Sequence, residues 1–219
     1  ILLSTKHDVI CYDIDQSKLK YIENKISPIK DKLISEYLRN KKLKLKTTAK
    51  IDHEIVKSNF IIISTPTNYE ESENTFDTSS LDKILKKLSS LNTTSTIIIK
   101  STLPVGYTEK VNQRFKKLKI YFSPEFLREG NALYDNLFPT RIIIGNKDEH
   151  SKRFVNVLKS VSHKKDVKIF YMTSSEAESV KLFSNSYLAT RVAFFNELDS
   201  YCIAKNFDTK SLIDGVSSD

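Results

Sequence analysis

The sequence predicts an α/β chain in which a doubly wound parallel sheet is followed by one long helix. Short apolar, β-branched runs of the kind buried on both faces of a sheet alternate with segments of helical spacing. Several of these runs break into Ser, Thr, Pro or Gly at their carboxyl ends, the edge at which an open α/β sheet binds ligands. From Ser174 to Lys205 there is neither Gly nor Pro. As a helix this stretch would span about 48 Å at about 1.5 Å per residue.

In chain order, Ile1 to Thr5 read as the tail of a helix leading into a strand over Asp8–Ile14. Apolar residues recur at helical spacing from Gln16 to Asn24 and from Lys30 to Asn40, and Ser27-Pro28 separates the two segments. Ser58–Ser64 is a continuous apolar run, expected to be a strand buried on both faces, and it ends in Thr65-Pro-Thr67. Tyr69 to Thr75 is polar and acidic, a surface loop, after which Asp77 or Thr78 caps a helix through Leu88. Thr96–Lys100, Lys119–Ser123, Arg141–Gly145 and Val167–Tyr171 are further strands, with helices over Glu109–Lys117 and Glu149–Val161 between them. On the long helix Ala177, Val180, Phe183, Tyr187, Phe194, Leu198 and Tyr201 form one apolar stripe, and Leu188, Val192, Phe195 and Cys202 fill another. A helix apolar on most of its circumference must be covered on several sides. A short helix capped within Asn206–Thr209 follows and ends at Gly215.

With 219 residues the chain can build a real core, and 39% hydrophobic with 28% charged residues is ordinary for a globular protein. The net charge of +8 resides in Lys30 to Lys50 and at Lys116, Lys117, Lys119, Lys164 and Lys165, on helix faces and loops with no nucleic-acid module around them. It reads as a solvated basic surface. Cys11 and Cys202 sit in apolar runs without pairing or metal-ligand spacing, as buried small residues in a reducing compartment. No apolar run reaches the roughly 20 residues of a membrane span and no signal-peptide pattern is present, so a cytoplasmic protein without membrane or nucleic-acid partners is expected.

Five ordered motifs carry a more specific reading. Thr65-Pro-Thr-Asn-Tyr69 with Phe76-Asp-Thr78, then Ser101-Thr-Leu-Pro-Val-Gly106, then Ser123-Pro-Glu-Phe-Leu-Arg-Glu-Gly130 with Ala132–Leu137 precede Glu176–Asn185 and Phe195-Asn-Glu-Leu-Asp199. Together they resemble the UDP-glucose 6-dehydrogenase family, nucleotide-sugar dehydrogenases that oxidise a sugar C6 alcohol to a carboxylate with NAD. The resemblance spans essentially the whole chain. It implies a Rossmann-like NAD-binding domain over residues 1–172 and a central helical dimerisation region over 173–219, with a homodimer formed through the long helix at 174–205.

The resemblance also implies roles. Asp13 would hold the adenosine ribose hydroxyls, Lys18 would add a second contact on that side, and Thr67, Thr102 and Glu129 would meet the cofactor. Glu129, flanked by Arg128, is the implied general base, and Glu125 and Thr102 would position water. The run Glu125, Phe126, Leu127, Arg128 and Glu129 would meet the substrate. Lys181 and Asn185, four apart and so on one helix face, would stabilise the oxyanions at C6 and bind substrate or water.

Two parts of the family's pattern are expected outside this chain. A Gly-rich phosphate-binding turn belongs before Ile1, and the nucleophilic Cys in a Gly-Gly-Cys segment, with the UDP-binding domain, belongs after Asp219. Neither Cys11 nor Cys202 fits the nucleophile's role, so the chain alone is expected to be inert. UDP-glucose is the expected substrate. GDP-mannose or a UDP-aminosugar is an alternative, as is a non-catalytic dimerisation or binding module of the same shape.

Overall fold

A computed structural model describes residues 1–72 and 74–218; Glu73, within the expected surface loop, and Asp219 lie outside the described residues. The chain divides into two compact units, Ile1–Glu178 and Ser179–Asp219. The first opens with a 3-10 turn at Leu3–Thr5, then β1 (Val9–Tyr12), α1 (Gln16–Glu23), α2 (Lys32–Asn40), β2 (Leu45–Thr48), α3 (His53–Val56) and β3 (Phe60–Ile63). A hairpin of β4 (Tyr69–Glu70) and β5 (Thr75–Phe76) follows, then α4 (Ser79–Ser90), β6 (Thr96–Ile99), α5 (Tyr107–Arg114), β7 (Lys119–Phe122) and α6 (Ala132–Leu137). Next come β8 (Arg141–Gly145), α7 (Glu149–Val161), β9 (Lys168–Met172) and the start of α8 (Ser174–Lys205); the second unit holds the rest of α8 and α9 (Thr209–Val216).

The strands pair in parallel as β1-β2, as β3-β6-β7 and as β8-β9. In the middle ladder Ile61, Ile97 and Ile120 lie in register, and Ile97, Ile98 and Ile99 are fully buried. Leu81, Leu85 and Leu88 of α4, at helical spacing, are also fully buried, each contributing about 1.5–3 kcal/mol by leaving water. β8 lies near β7. The Ser123 hydroxyl, just past β7, donates to the Ile143 carbonyl of β8 at 2.8 Å, and the Tyr121 hydroxyl donates to Asp148, just past β8, at 2.6 Å. Ile98, Tyr121, Ile142, Ile144, Phe154 and Val155 form one core across this junction.

Several local expectations change. β2 was hidden in a basic segment: Leu43, Leu45 and Thr47 alternate with Lys42, Lys44 and Lys46, a period of two that puts the charges on one face. β3 is less buried than its continuous apolar run implied, with Ile62 37% exposed, because among the described residues it pairs only with β6. The segment expected as a plain loop after Asn68 closes as a hairpin, held by an edge-on Tyr69–Phe76 pair at 5.3 Å and turned by Asn74 at φ +49°. Cys202 is buried, whereas Cys11 is only half-buried. Burial still pushes the Cys11 thiol above its ordinary value.

In the second unit the apolar side chains of α8 spread around the helix, and Phe183, Tyr187, Leu188, Val192, Phe194, Tyr201 and Ile203 are all exposed. Asn206 at φ +56° ends the helix, the Phe207 N–H donates to the Cys202 carbonyl at 2.9 Å, and Asp208 caps α9 through the Ser211 N–H at 3.0 Å. Among the described residues no helix is long and apolar enough to cross a membrane.

Asp31 joins two helices far apart in sequence. It is 5% exposed, and its carboxylate accepts the Ile34 N–H of α2 at 3.0 Å and the Leu133 N–H of α6 at 3.2 Å. Ile34, Leu38, Leu133 and Leu137 pack together beneath it. Asp31→Ala removes both caps, and urea titration should show a loss of about 1–3 kcal/mol, with Asp31→Asn intermediate.

Asp148 caps α7 through the Ser151 N–H at 2.9 Å while accepting the Tyr121 hydroxyl. Burial alone would raise its carboxyl, but the Tyr121 hydroxyl and the Ser151 donors outweigh burial and hold it below the ordinary Asp value. A depressed acid adds stability above its unfolded value, near pH 4, and that stability is lost as pH falls through the folded one. Asp148→Asn should therefore lower the urea midpoint at pH 7 and flatten the decline below about pH 4.

Candidate functional site

The exits of β3, β6 and β7 meet at one edge of the middle ladder, where parallel strands leave carbonyls without ladder partners. Side chains complete them. The Ser101 hydroxyl donates to the Thr65 carbonyl at 2.6 Å, and the Thr67 hydroxyl to the Thr102 carbonyl at 2.7 Å. The Lys100 ammonium donates to the Ser123 carbonyl at 2.9 Å and reaches that of Pro124 at 3.4 Å. The structure thus brings Thr67 and Thr102 into direct contact and ties their loops to the one that carries Glu125. Lys100 and Ser101 were not singled out from the sequence: a hydroxyl and an ammonium at a strand end carry no local sign of which distant carbonyl they meet.

The Glu125–Glu129 loop has its own frame. Glu125 accepts the Leu127 N–H at 2.8 Å, and the Arg141 guanidinium lies 3.8 Å from the centre of the Phe126 ring. Arg128 forks onto Asp135, with Nη2 at 2.6 Å and Nε at 3.2 Å, and its backbone N–H donates to the same carboxylate at 2.8 Å. The Arg128 hydrogen bond holds the Asp135 carboxyl below the usual carboxylate range. The loop turns at Gly130, φ +77°, where a side chain would be strained. Leu127, Arg128 and Glu129 are exposed, whereas Glu125 and Phe126 are half-buried.

Asp13 and Lys18 lie just beyond β1, at its exit and in α1. Half-buried Asp13 follows β1, and its Oδ1 accepts the Asp15 N–H at 2.9 Å across the turn into α1. Lys18 is exposed in the first turn of α1. Lys181 and Asn185 belong to the second unit, one turn apart on α8, Lys181 7% exposed and Asn185 exposed.

The first unit suits a dinucleotide. Among the described residues the Thr65 hydroxyl, at the β3 exit beside Thr67 and Ser101, is buried without a hydrogen-bond partner, a cost that a polar ligand along this edge would relieve. Asp13 offers a carboxylate at the end of β1, as a ribose diol requires. Among the described residues no group of His, Cys, Asp and Glu is placed to hold a metal ion.

Known proteins are similar to this chain in sequence and in fold. Residues 1–163 match the profile of the UDP-glucose/GDP-mannose dehydrogenase family, NAD binding domain, and residues 175–219 match the family's central domain. The chain is 48% identical over 216 residues to UDP-glucose 6-dehydrogenase of Campylobacter jejuni, covering 99% of this chain and 55% of that protein. It is 45% identical over 225 residues to UDP-glucose 6-dehydrogenase of Streptococcus pneumoniae, covering 100% and 57%. The chain thus spans about half the length of the curated relatives it matches. In fold it is similar to GDP-mannose dehydrogenase of Pseudomonas aeruginosa (TM-score 0.87, 21% identical, covering 100% of this chain and 53% of that one). The same holds for a UDP-glucose dehydrogenase of Pyrobaculum islandicum (TM-score 0.86, 24% identical, covering 100% and 52%). Strand exits suited to a dinucleotide thus coincide with a profile match over most of the chain, and the chain belongs to the UDP-glucose/GDP-mannose dehydrogenase family, of which it carries the NAD binding domain.

Proposed function

We propose that this chain works in an NAD-dependent nucleotide-sugar dehydrogenase that oxidises C6 of UDP-glucose to the carboxylate of UDP-glucuronate. The observation that carries the reading is identity of 48% and 45%, over nearly the whole chain, to proteins named UDP-glucose 6-dehydrogenase. It favours UDP-glucose over GDP-mannose, since the likeness to GDP-mannose dehydrogenase is one of fold at 21% identity. When bound, NAD accepts a hydride at each of two oxidations, so that the alcohol loses four electrons in all and gains one oxygen from water.

The chain's own residues then take these roles. Asp13 accepts hydrogen bonds from the ribose diol and would repel a 2′-phosphate, with Lys18 beside it, and Thr67 and Thr102 line the cofactor's path. Glu129 removes the proton of the C6 hydroxyl, Glu125 and Thr102 orient water, and Phe126, Leu127 and Arg128 frame the sugar. Lys181 places an ammonium beside the oxygen on which charge develops, worth about 3 kcal/mol in a water-poor site, and Asn185 hydrogen-bonds substrate or water. Residues 1–172 serve as the NAD-binding part and 173–219 as the central part. The free cysteines suit a reducing cytoplasm.

Kinetics of the full-length protein test this reading. Lys181→Ala should lower kcat by about 100-fold or more while the Kd for NAD stays within about 2-fold, and Glu129→Gln should lower kcat by about 100-fold. Near wild-type turnover in either variant would remove that residue from the chemistry.

We also propose that a second copy of the chain covers the exposed face of α8, giving a homodimer. Tyr187, Thr190, Arg191, Phe194, Phe195, Val216 and Ser217 line a groove of about 450 Å³ between α8 and α9, and the apolar residues around it are too many to face water singly. Light scattering should give twice the monomer mass, and Val192→Glu should shift the population towards monomer. A stable, soluble wild-type monomer would contradict the proposal.

A further inference from the structure

Glu178 is an acid with no part in the chemistry above. It is 0% exposed, on the first turns of α8, and its carboxylate accepts the Gly106 N–H at 2.6 Å, the Thr108 N–H at 2.8 Å and the Thr108 hydroxyl at 2.6 Å. These groups form the amino end of α5. The N-cap of that helix is Gly106, at φ +87°, which has no side chain to satisfy the first helical N–H groups. At this φ a Ser, Thr or Asp side chain would be strained, so the cap has to come from another element. A remote acid does something a local cap cannot: it fixes the position of two elements relative to each other.

Both elements are firmly held elsewhere. Thr173 and Glu176 form a reciprocal capping box at the start of α8, with the Thr173 N–H on Glu176 at 2.7 Å and the Glu176 N–H on the Thr173 hydroxyl at 3.2 Å. Ser175 donates to Glu109 of α5 at 2.8 Å. A side chain at Gly145 would come within 2.9 Å of the Ser174 backbone, so the end of β8 packs directly on this turn. The loop from Ser101 to Gly106 is tied at one end to Thr65 and Thr67, and Glu178 holds its other end.

We propose that Glu178 is a positioning residue for the cofactor, acting through α5 and the Ser101–Gly106 loop to hold Thr102 at the strand exits. The inference rests on the reading of this edge as the NAD site. In the full-length protein, calorimetric titration should show Glu178→Gln raising the Kd for NAD about 10-fold and leaving that for UDP-glucose within about 2-fold. Thr108→Val removes one donor to Glu178 at nearly constant volume, and should raise the Kd for NAD about 2- to 3-fold even if Glu178→Gln does not fold. A lowered melting temperature with wild-type NAD affinity in both variants would reduce Glu178 to a helix cap. A wild-type protein that binds no NAD would instead sink the functional reading, and this inference with it.

Discussion

A parallel strand leaves its last carbonyls without ladder partners, and the first unit is built around meeting that demand with side chains of neighbouring exits. Ser101 serves Thr65, Thr67 serves the carbonyl of Thr102, and Lys100 serves Ser123 and Pro124. Each bond is modest on its own, about 1 kcal/mol net, but each also spares a buried carbonyl from going unpaired. The strand exits are thereby cross-linked by side chains of the chain itself, and among the described residues the Thr65 hydroxyl there has no hydrogen-bond partner.

Carboxylates hold the helices in the same economical way. Asp31 caps α2 and α6 together, Asp148 caps α7 while accepting from Tyr121 of β7, and Glu178 caps α5 from α8. Burial disfavours a carboxylate, so such a group persists only where backbone donors surround it. Because the donors belong to different elements, each acid sets the spacing of two elements as well as ending one. Asp135 does the same for the Glu125–Glu129 loop by holding both the backbone and the side chain of Arg128.

The second unit follows another logic. Its long helix has no polar face broad enough to mark a solvent side, and its aromatic and aliphatic side chains stay exposed in the single chain. Local signals define it sharply all the same: no Gly or Pro interrupts it, Asn206 stops it in the left-handed conformation, and Asp208 starts the next helix. What covers such a surface is not written in the helix's local signals, which set only its start, length and end.

By itself the sequence determined the α/β class, the positions of most strands and helices, the full length of α8 and the family, because these depend on hydrophobic period, breakers, caps and motif order along the chain. It placed Thr67, Thr102 and Glu125 at strand exits for the same reason. Tertiary structure alone decided that Leu45–Thr48 is a strand, since its alternation is masked by lysines until β1 pairs with it. It also decided that Ile62 is partly exposed, that Ser123 meets the Ile143 carbonyl, and that Arg128 turns to Asp135. Above all it decided the role of Glu178, whose donors lie about 70 residues away at Gly106 and Thr108. A local pattern records what a residue needs, burial or a donor, but which distant group supplies it is settled only when the chain closes on itself.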